Sequence, residues 1–206
     1  MSLPPDAALP PDAALPAEPM ALLIAWLDRA RRAGIVEHRA MVLATADEQG
    51  TPSARTVLAT VIDDAGVVFN SSHPSRKTLD LAANPKASAV FGWYGIGRQV
   101  VLSGAVDPLP DAEVDAAFAA RDPGLRLLAW AYHRAVRAED LADALAEEQL
   151  RWQGRPPERP PSWLGYRLRP DVVDFWYAEE VGDGAIRGRI RYQRTDGGWR
   201  ISRVLP

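Results

Sequence analysis

The sequence predicts a mainly β protein, a closed or split β-barrel with helices packed against its outside. Three observations predict it. Short runs with strand periodicity come in two blocks, within residues 40–106 and 163–204, with a helical block between them. The turns Asp47-Glu48-Gln49-Gly50 and Asp63-Asp64-Ala65-Gly66 suit hairpins and so make neighbouring strands antiparallel. No regular strand–helix–strand alternation is present, which argues against a parallel doubly wound sheet.

The elements follow in order. Residues 3–19 read LPPDAALPPDAALPAEP, a hexapeptide used twice and then broken. Proline fixes φ and removes a donor, and nothing in this stretch builds a core, so residues 1–17 are expected as an extended tail before one domain, residues 18–206. Pro19 opens a helix in which Leu22, Leu23, Trp26, Leu27 and Ala30 keep helical spacing. Asp28, Arg29, Arg31 and Arg32 fill its solvated face, and Gly34 ends it. Ala40–Ala46, Ser53–Ile62 and Val67–Ser71 read as strands, and Pro74–Ala83 as a helix that stops before Asn84-Pro85. Strands Ala87–Tyr94 and Gln99–Val106 are joined through the turn Gly95-Ile96-Gly97. Asp111–Arg121, Arg126–Val136 and Glu139–Trp152 read as helices, and Gly154–Pro161 as a stiff Pro-rich loop. The chain ends in strands Trp163–Leu168, Val172–Tyr177, Arg189–Arg194 and Trp199–Val204.

Composition removes several functions. The 206 residues include no Cys, which excludes a disulfide scaffold, thiolate metal sites and thiol catalysis. No apolar run approaches the roughly 20 residues of a membrane helix, and the N-terminus lacks a secretory pattern, so a soluble, cytoplasmic protein is expected. A net charge of −3 argues against generic nucleic-acid binding. The three His (His38, His73, His133) lack ligand spacing, so no metal site is expected. Asp63-Asp64 and Glu147-Glu148 read as solvated charge.

Two features stand out. Ser75, Arg76 and Lys77 occupy the first turn of the helix after His73-Pro74. The helix dipole disfavours cations there unless an anion binds, so this segment reads equally as a phosphate site or as a capped surface helix. Arg55 interrupts an otherwise apolar strand and must reach water or pair with an anion. Trp176, within Phe175-Trp176-Tyr177, reads as core packing or as a platform for a planar heterocycle.

The stretches AMVLATADEQGTPSARTVL, GVVFNSSHPSRKTLDLAANPKASAVFGW and RQVVLSGAV resemble the pyridoxamine 5′-phosphate oxidase family of FMN flavoproteins, as do DFW and RGRIRYQRTDGGWRISRVLP. The resemblance runs from about residue 18 to the C-terminus. It implies a split β-barrel homodimer with FMN at the subunit interface, each site drawing on both chains. Position by position, it implies that Arg55, Thr56, Val57, Leu58 and Thr60 run along the FMN, and that Arg76 and Lys77 grip its phosphate. It places Asn70 and Ser71 beside the ribityl chain, and Gln99, Trp176 and Arg189 near the isoalloxazine. Where the family commonly has Gln-Ser, this chain has Arg134-Ala135, an Arg that can still pair with the phosphate.

The substrate positions diverge. The family's vitamin oxidases hold a substrate phosphate with Lys, Tyr, Arg and Ser; the matching positions here are Thr60, Ala117, Arg121 and Leu125. An Arg-x-His pair over the substrate ring is replaced by Ala185 and Arg187. A charge-assisted hydrogen bond is worth roughly 1.5–3 kcal/mol. Without those of the Lys, Tyr and Ser, a phosphate dianion binds more weakly by several orders of magnitude. WLDRARRAGI, LATADEQGTPSAR and DAGVVF resemble the family's phenazine-biosynthesis branch, which implies oxidation of a dihydrophenazine carboxylate with O2 as acceptor; Arg121, Arg187 and Arg134 are candidates to meet its carboxylate. Gain of aromaticity demands no strong protein base, in keeping with an expected pocket without His, Cys or Lys. Two alternatives remain: a pyridoxine/pyridoxamine phosphate oxidase with an altered grip, and an FMN-binding protein without catalysis.

Overall fold

The computed structural model describes residues 15–181 and 184–205; residues 1–14 of the expected tail lie outside them. Eight strands form one antiparallel sheet: β1 (Ala40–Ala46), β2 (Pro52–Asp63), β3 (Gly66–Ser72), β4 (Lys86–Trp93), β5 (Arg98–Pro108), β6 (Trp163–Val181), β7 (Gly184–Thr195) and β8 (Gly198–Val204). The strand order is β3-β2-β1-β4-β5-β6-β7-β8, and β3 also pairs with β6. Six strands therefore close into an antiparallel barrel, which gives the expected mainly β fold with helices outside.

The strand β6 is where the barrel splits. Its first part, Trp163–Leu168, pairs with β3, and its second part, from Val172 onward, pairs with β7. The residue pattern predicts two strands here, broken at Arg169-Pro170-Asp171. One strand runs through instead, because a register shift opposite Ser103 and Gly104 takes up the irregular residues. Gly104 is required there: a Cβ on it would lie 2.0 Å from the Arg169 carbonyl oxygen.

The barrel interior is filled from alternate positions of its strands, including Leu43, Phe69, Phe91, Leu102, Leu168 and Phe175, all fully buried. Helix α1 (Pro19–Arg32) lays Met20, Leu23, Trp26 and Leu27 on this core, with Trp26 edge-on to Phe175 at 5.1 Å. The chain just before α1 is tied down: the Tyr192 hydroxyl donates to the Pro16 carbonyl (2.9 Å) and the Trp199 indole to Glu18 (2.9 Å).

Helix α2 (Arg76–Ala83) starts two residues later than expected, capped by Ser75, after a cis His73–Pro74 bond. Helices α3 (Asp111–Ala119), α4 (Pro123–Arg134) and α5 (Leu141–Arg151) make the outer layer. Val114, Phe118 and Ala129 from α3 and α4 pack with Trp163 in a second, smaller core. Glu148 corrects the expectation of solvated charge. Only 1% of its side chain is exposed; it accepts from the Trp152 indole (2.8 Å) and pairs with Arg134 (3.4 Å) and Arg151 (3.5 Å). Its neighbour Glu147 does face water.

Candidate active site

Between the end of β3, the start of α2 and the face of α4 lies a cavity of about 600 Å³. One wall is polar. The Lys77 ammonium donates to the Ser71 hydroxyl (2.9 Å) and the Ser75 hydroxyl (3.3 Å), and the two hydroxyls are 3.1 Å apart. Among the described residues no carboxylate pairs with Lys77. Burial, and secondarily the charge of Arg55, hold its pKa below the ordinary lysine value. A crown of one ammonium and two hydroxyls, partly desolvated, suits a phosphate group.

The other wall is helical. Leu125, Leu128, Ala129 and Tyr132 follow helix spacing along α4 and present an apolar stripe to the cavity. Arg121, just ahead of this helix, also lines the cavity, with its guanidinium 5.1 Å over the Trp163 ring. The buried Nε of Arg121 has no hydrogen-bond partner among the described residues, and burial lowers the pKa of the group. A half-buried cation at the end of an apolar stripe fits an anionic group on an otherwise apolar ligand.

Behind the polar wall, Asp80 is buried on the inner face of α2. Its Oδ2 accepts from the hydroxyls of Thr45 (2.6 Å) and Ser53 (2.9 Å), and its Oδ1 from Arg76 Nε (2.8 Å). Arg55 donates in turn to Thr45 Oγ1 (2.8 Å) and Ser53 Oγ (2.5 Å), with its own nitrogen 3.9 Å from Asp80. Of the two outcomes expected for Arg55, reaching water or pairing with an anion, the structure has the second. Burial alone would raise the Asp80 pKa, but the Thr45 and Ser53 hydroxyls and Arg76 outweigh it and hold the carboxyl below the ordinary value. Arg76 also pairs with Asp47 (2.7 Å).

The remaining expected cofactor residues sit elsewhere on the protomer. In the strand registers Gln99 faces Trp176, and Trp176 faces Arg189, so all three form one transverse row across β5, β6 and β7. Phe175 and Tyr177 are buried on the opposite face, while Trp176 is partly exposed beside Gln99 and Arg189. On β2, Thr56, Leu58 and Thr60 point outward and Val57 inward to the core. The Thr60 hydroxyl meets the Val68 carbonyl (3.2 Å) and Asn70 Oδ1 (3.3 Å).

Asn70, Ser71, Lys77, Arg121 and Leu125 thus share one cavity, while Arg55 and Arg76 stand behind it. Ala117 packs into the second core. Arg134 is turned to Glu148 and does not line the cavity in this protomer, although its neighbours His133 and Ala135 do. Arg187 is exposed on β7 opposite Ala178; the side chain of Ala185 lies outside the described residues. The expectation of a pocket free of His is corrected: His73 and His133 line it, beside the Lys77 expected there. Their sequence positions gave no ligand-like spacing, because one comes from the loop before α2 and the other from the last turn of α4. Tyr132 was likewise missed, although its place on the α4 stripe was legible.

Comparisons with known proteins agree with this architecture. Residues 27–177 match the family described as pyridoxamine 5′-phosphate oxidase, and residues 163–206 match the pyridoxine 5′-phosphate oxidase C-terminal dimerisation region. A pyridoxine/pyridoxamine 5′-phosphate oxidase of Rubrobacter xylanophilus is 41% identical over 192 residues, covering 92% of this chain and 87% of its own. One of the same name from Salinispora arenicola is 43% identical over 188 residues, covering 88% and 83%. Among solved structures, PhzG from Burkholderia lata in complex with tetrahydrophenazine-1-carboxylic acid superposes with a TM-score of 0.90, at 32% identity over 100% of both chains.

Proposed function

The chain belongs to the pyridoxamine 5′-phosphate oxidase family, and from that premise we propose that it is a cytoplasmic, homodimeric FMN-dependent oxidase that aromatises a reduced heterocycle of the dihydrophenazine carboxylate type with O2 as acceptor. The observation that carries the reading is the two-walled cavity, with the Lys77 crown on one side and the apolar α4 stripe ending at Arg121 on the other. The residues present fit FMN. The crown supplies the donors a flavin phosphate needs, and the Gln99–Trp176–Arg189 row supplies hydrogen-bonding, aromatic and cationic groups for an isoalloxazine.

When bound, FMN supplies a hydride acceptor that O2 returns to the oxidised form, giving hydrogen peroxide. The chain's own residues do the rest. Lys77, Ser71 and Ser75 bind the phosphate end, with Arg55 and Arg76 adding positive potential behind them. Arg189 would offset negative charge on the ring system. Arg121 takes the substrate carboxylate, and Leu125, Leu128 and Tyr132 pack its fused rings and exclude water. The substrate loses a hydride and a proton, the proton leaving to solvent or to a group on the cavity rim.

Two groups of residues at separate places on the barrel surface support a site assembled from two copies, the crown of one protomer meeting the row of its partner. Similarity to the Burkholderia lata structure supports the phenazine-type substrate. A second reading, the vitamin oxidase, draws support from the names of the curated relatives. Thr60, Ala117 and Leu125 weigh against it, because they leave Arg121 as the one cation of the four expected phosphate ligands.

Purification tests the cofactor assignment. The protein is expected to be yellow or to become so on reconstitution with FMN, and Lys77→Ala to weaken FMN binding by about 10–100-fold, the equivalent of one charge-assisted hydrogen bond. Fluorescence titration measures it; unchanged FMN retention in the variant would remove the phosphate site from Lys77.

A further inference from the structure

Three cations, Arg55, Arg76 and Lys77, crowd one corner of the molecule. Burial lowers the pKa of Arg55 and of Lys77, and mutual repulsion adds to it, from Arg76 on Arg55 and from Arg55 on Lys77. Left alone, flexible cations in such a corner would spread into solvent. What holds two of them is Asp80, whose side chain is 2% exposed.

The hydrogen bonds of Asp80 have a fixed direction. A carboxylate only accepts, so the Thr45 and Ser53 hydroxyls must donate to it. Having given their protons to Asp80, both hydroxyls can only accept from Arg55, which they do through Nη1 and Nη2. The second carboxylate oxygen takes Arg76 Nε directly. One buried carboxylate therefore orients Arg55 through two hydroxyl relays and Arg76 through a direct ion pair.

We propose that Asp80 is a positioning residue for the flavin phosphate, fixing Arg55 and Arg76 behind the Lys77–Ser71–Ser75 crown so that the corner is ready for a phosphate dianion. The proposal rests on the FMN reading above. Thr45 and Ser53 are parts of the same device, since among the described residues neither has a charged partner besides Asp80 and Arg55. The carboxylate also keeps the cations from splaying apart when the corner is empty, while among the described residues three cations still face only two carboxylates, Asp80 and Asp47. Asparagine cannot replace it. Its amide is neutral, and its NH2 turns either to Arg76, donor against donor, or to the two hydroxyls, which then lose the acceptor that directs their protons.

The test compares two flavins that differ only in the phosphate. Full-length protein stripped of flavin is titrated with FMN and with riboflavin, following flavin fluorescence. Asp80→Asn is expected to lower the preference for FMN over riboflavin about 10-fold, and Ser53→Ala, which cuts one relay to Arg55, about 3-fold, the sizes of one and of part of one charge-assisted hydrogen bond. Riboflavin affinity is expected to stay within about twofold of the wild type, because riboflavin has no phosphate for the corner to hold. An unchanged preference in both variants overturns the proposal, as does a parallel fall in affinity for both flavins, which is what a merely structural role produces. Should Asp80→Asn not fold, Ser53→Ala decides alone. If the wild type prefers neither flavin, the FMN reading itself has failed, an outcome separate from failure of the Asp80 assignment.

Discussion

Asp80 and Lys77, one turn apart on α2, take opposite electrostatic fates. Asp80 gains donors that outweigh its burial, so its folded pKa lies below the ordinary carboxylate value, whereas Lys77 gains no carboxylate partner among the described residues and is lowered by burial. The Asp80 contribution to stability is therefore fully present above its unfolded value of about 3.9 and is lost as pH falls through the lower folded value. Urea midpoints measured from pH 6 down to pH 3 should fall less steeply for Asp80→Asn than for the wild type; identical acid limbs would show that the carboxyl is not held ionised. The Asp80 network was not legible in the sequence. Arg55 left open either water or an anion, and Thr45 and Ser53 lie 35 and 27 residues from Asp80, so only the β1–β2 register under α2 brings them together. Lys77 was legible, because a cation in a first helical turn conflicts with the dipole and invites an anion. Glu148 left a weaker signal in Arg151 and Trp152, three and four residues on, which place a cation and an indole donor on its own helix face.

At the level of elements, hairpin turns and periodicity located every strand that closes the barrel, to within a residue or two. The exception was β6, where Pro170-Asp171 reads as a turn. The physical reason is the register shift opposite Gly104, which lets a proline sit in a strand without breaking its continuity. The shift matters to the site, because it separates the part of β6 that closes the barrel from the part that carries Trp176. Gly104→Ala places a methyl against the Arg169 carbonyl and the Pro170 Cα, and should cost about 1–3 kcal/mol as overpacking does. Thermal unfolding should then shift down by roughly 2–4 °C per kcal/mol for a chain of this size. An unshifted transition would mean that the strand can slide past the bulge. The α4 stripe was predictable as a helix face, but its role was not: periodicity alone does not distinguish a core stripe from a cavity wall.

For the whole molecule, the residues expected around one flavin fall into two groups: the Lys77 crown at the end of β3, which pairs with the first part of β6, and the Gln99–Trp176–Arg189 row, centred on the second part of β6. A matched dimerisation region over β6–β8 puts most of the row on the elements that the family uses to meet a second copy. If each site takes the crown from one chain and the row from the other, mixing Lys77→Ala and Arg189→Ala protomers regenerates one intact site per heterodimer. FMN binding near half the wild-type stoichiometry is expected in the heterodimer; no recovery would place both groups in one chain's site. The family's vitamin chemistry and the reading favoured here share this architecture and differ only at the substrate wall. That difference is decided by oxygen uptake of the FMN-loaded protein, measured with a dihydrophenazine carboxylate and with pyridoxine 5′-phosphate under the same conditions. Uptake and peroxide release with the tricyclic carboxylate, and little or none with the phosphate, is the result predicted from Thr60, Ala117, Arg121 and Leu125. Rapid turnover of pyridoxine 5′-phosphate with an inert dihydrophenazine carboxylate would contradict it.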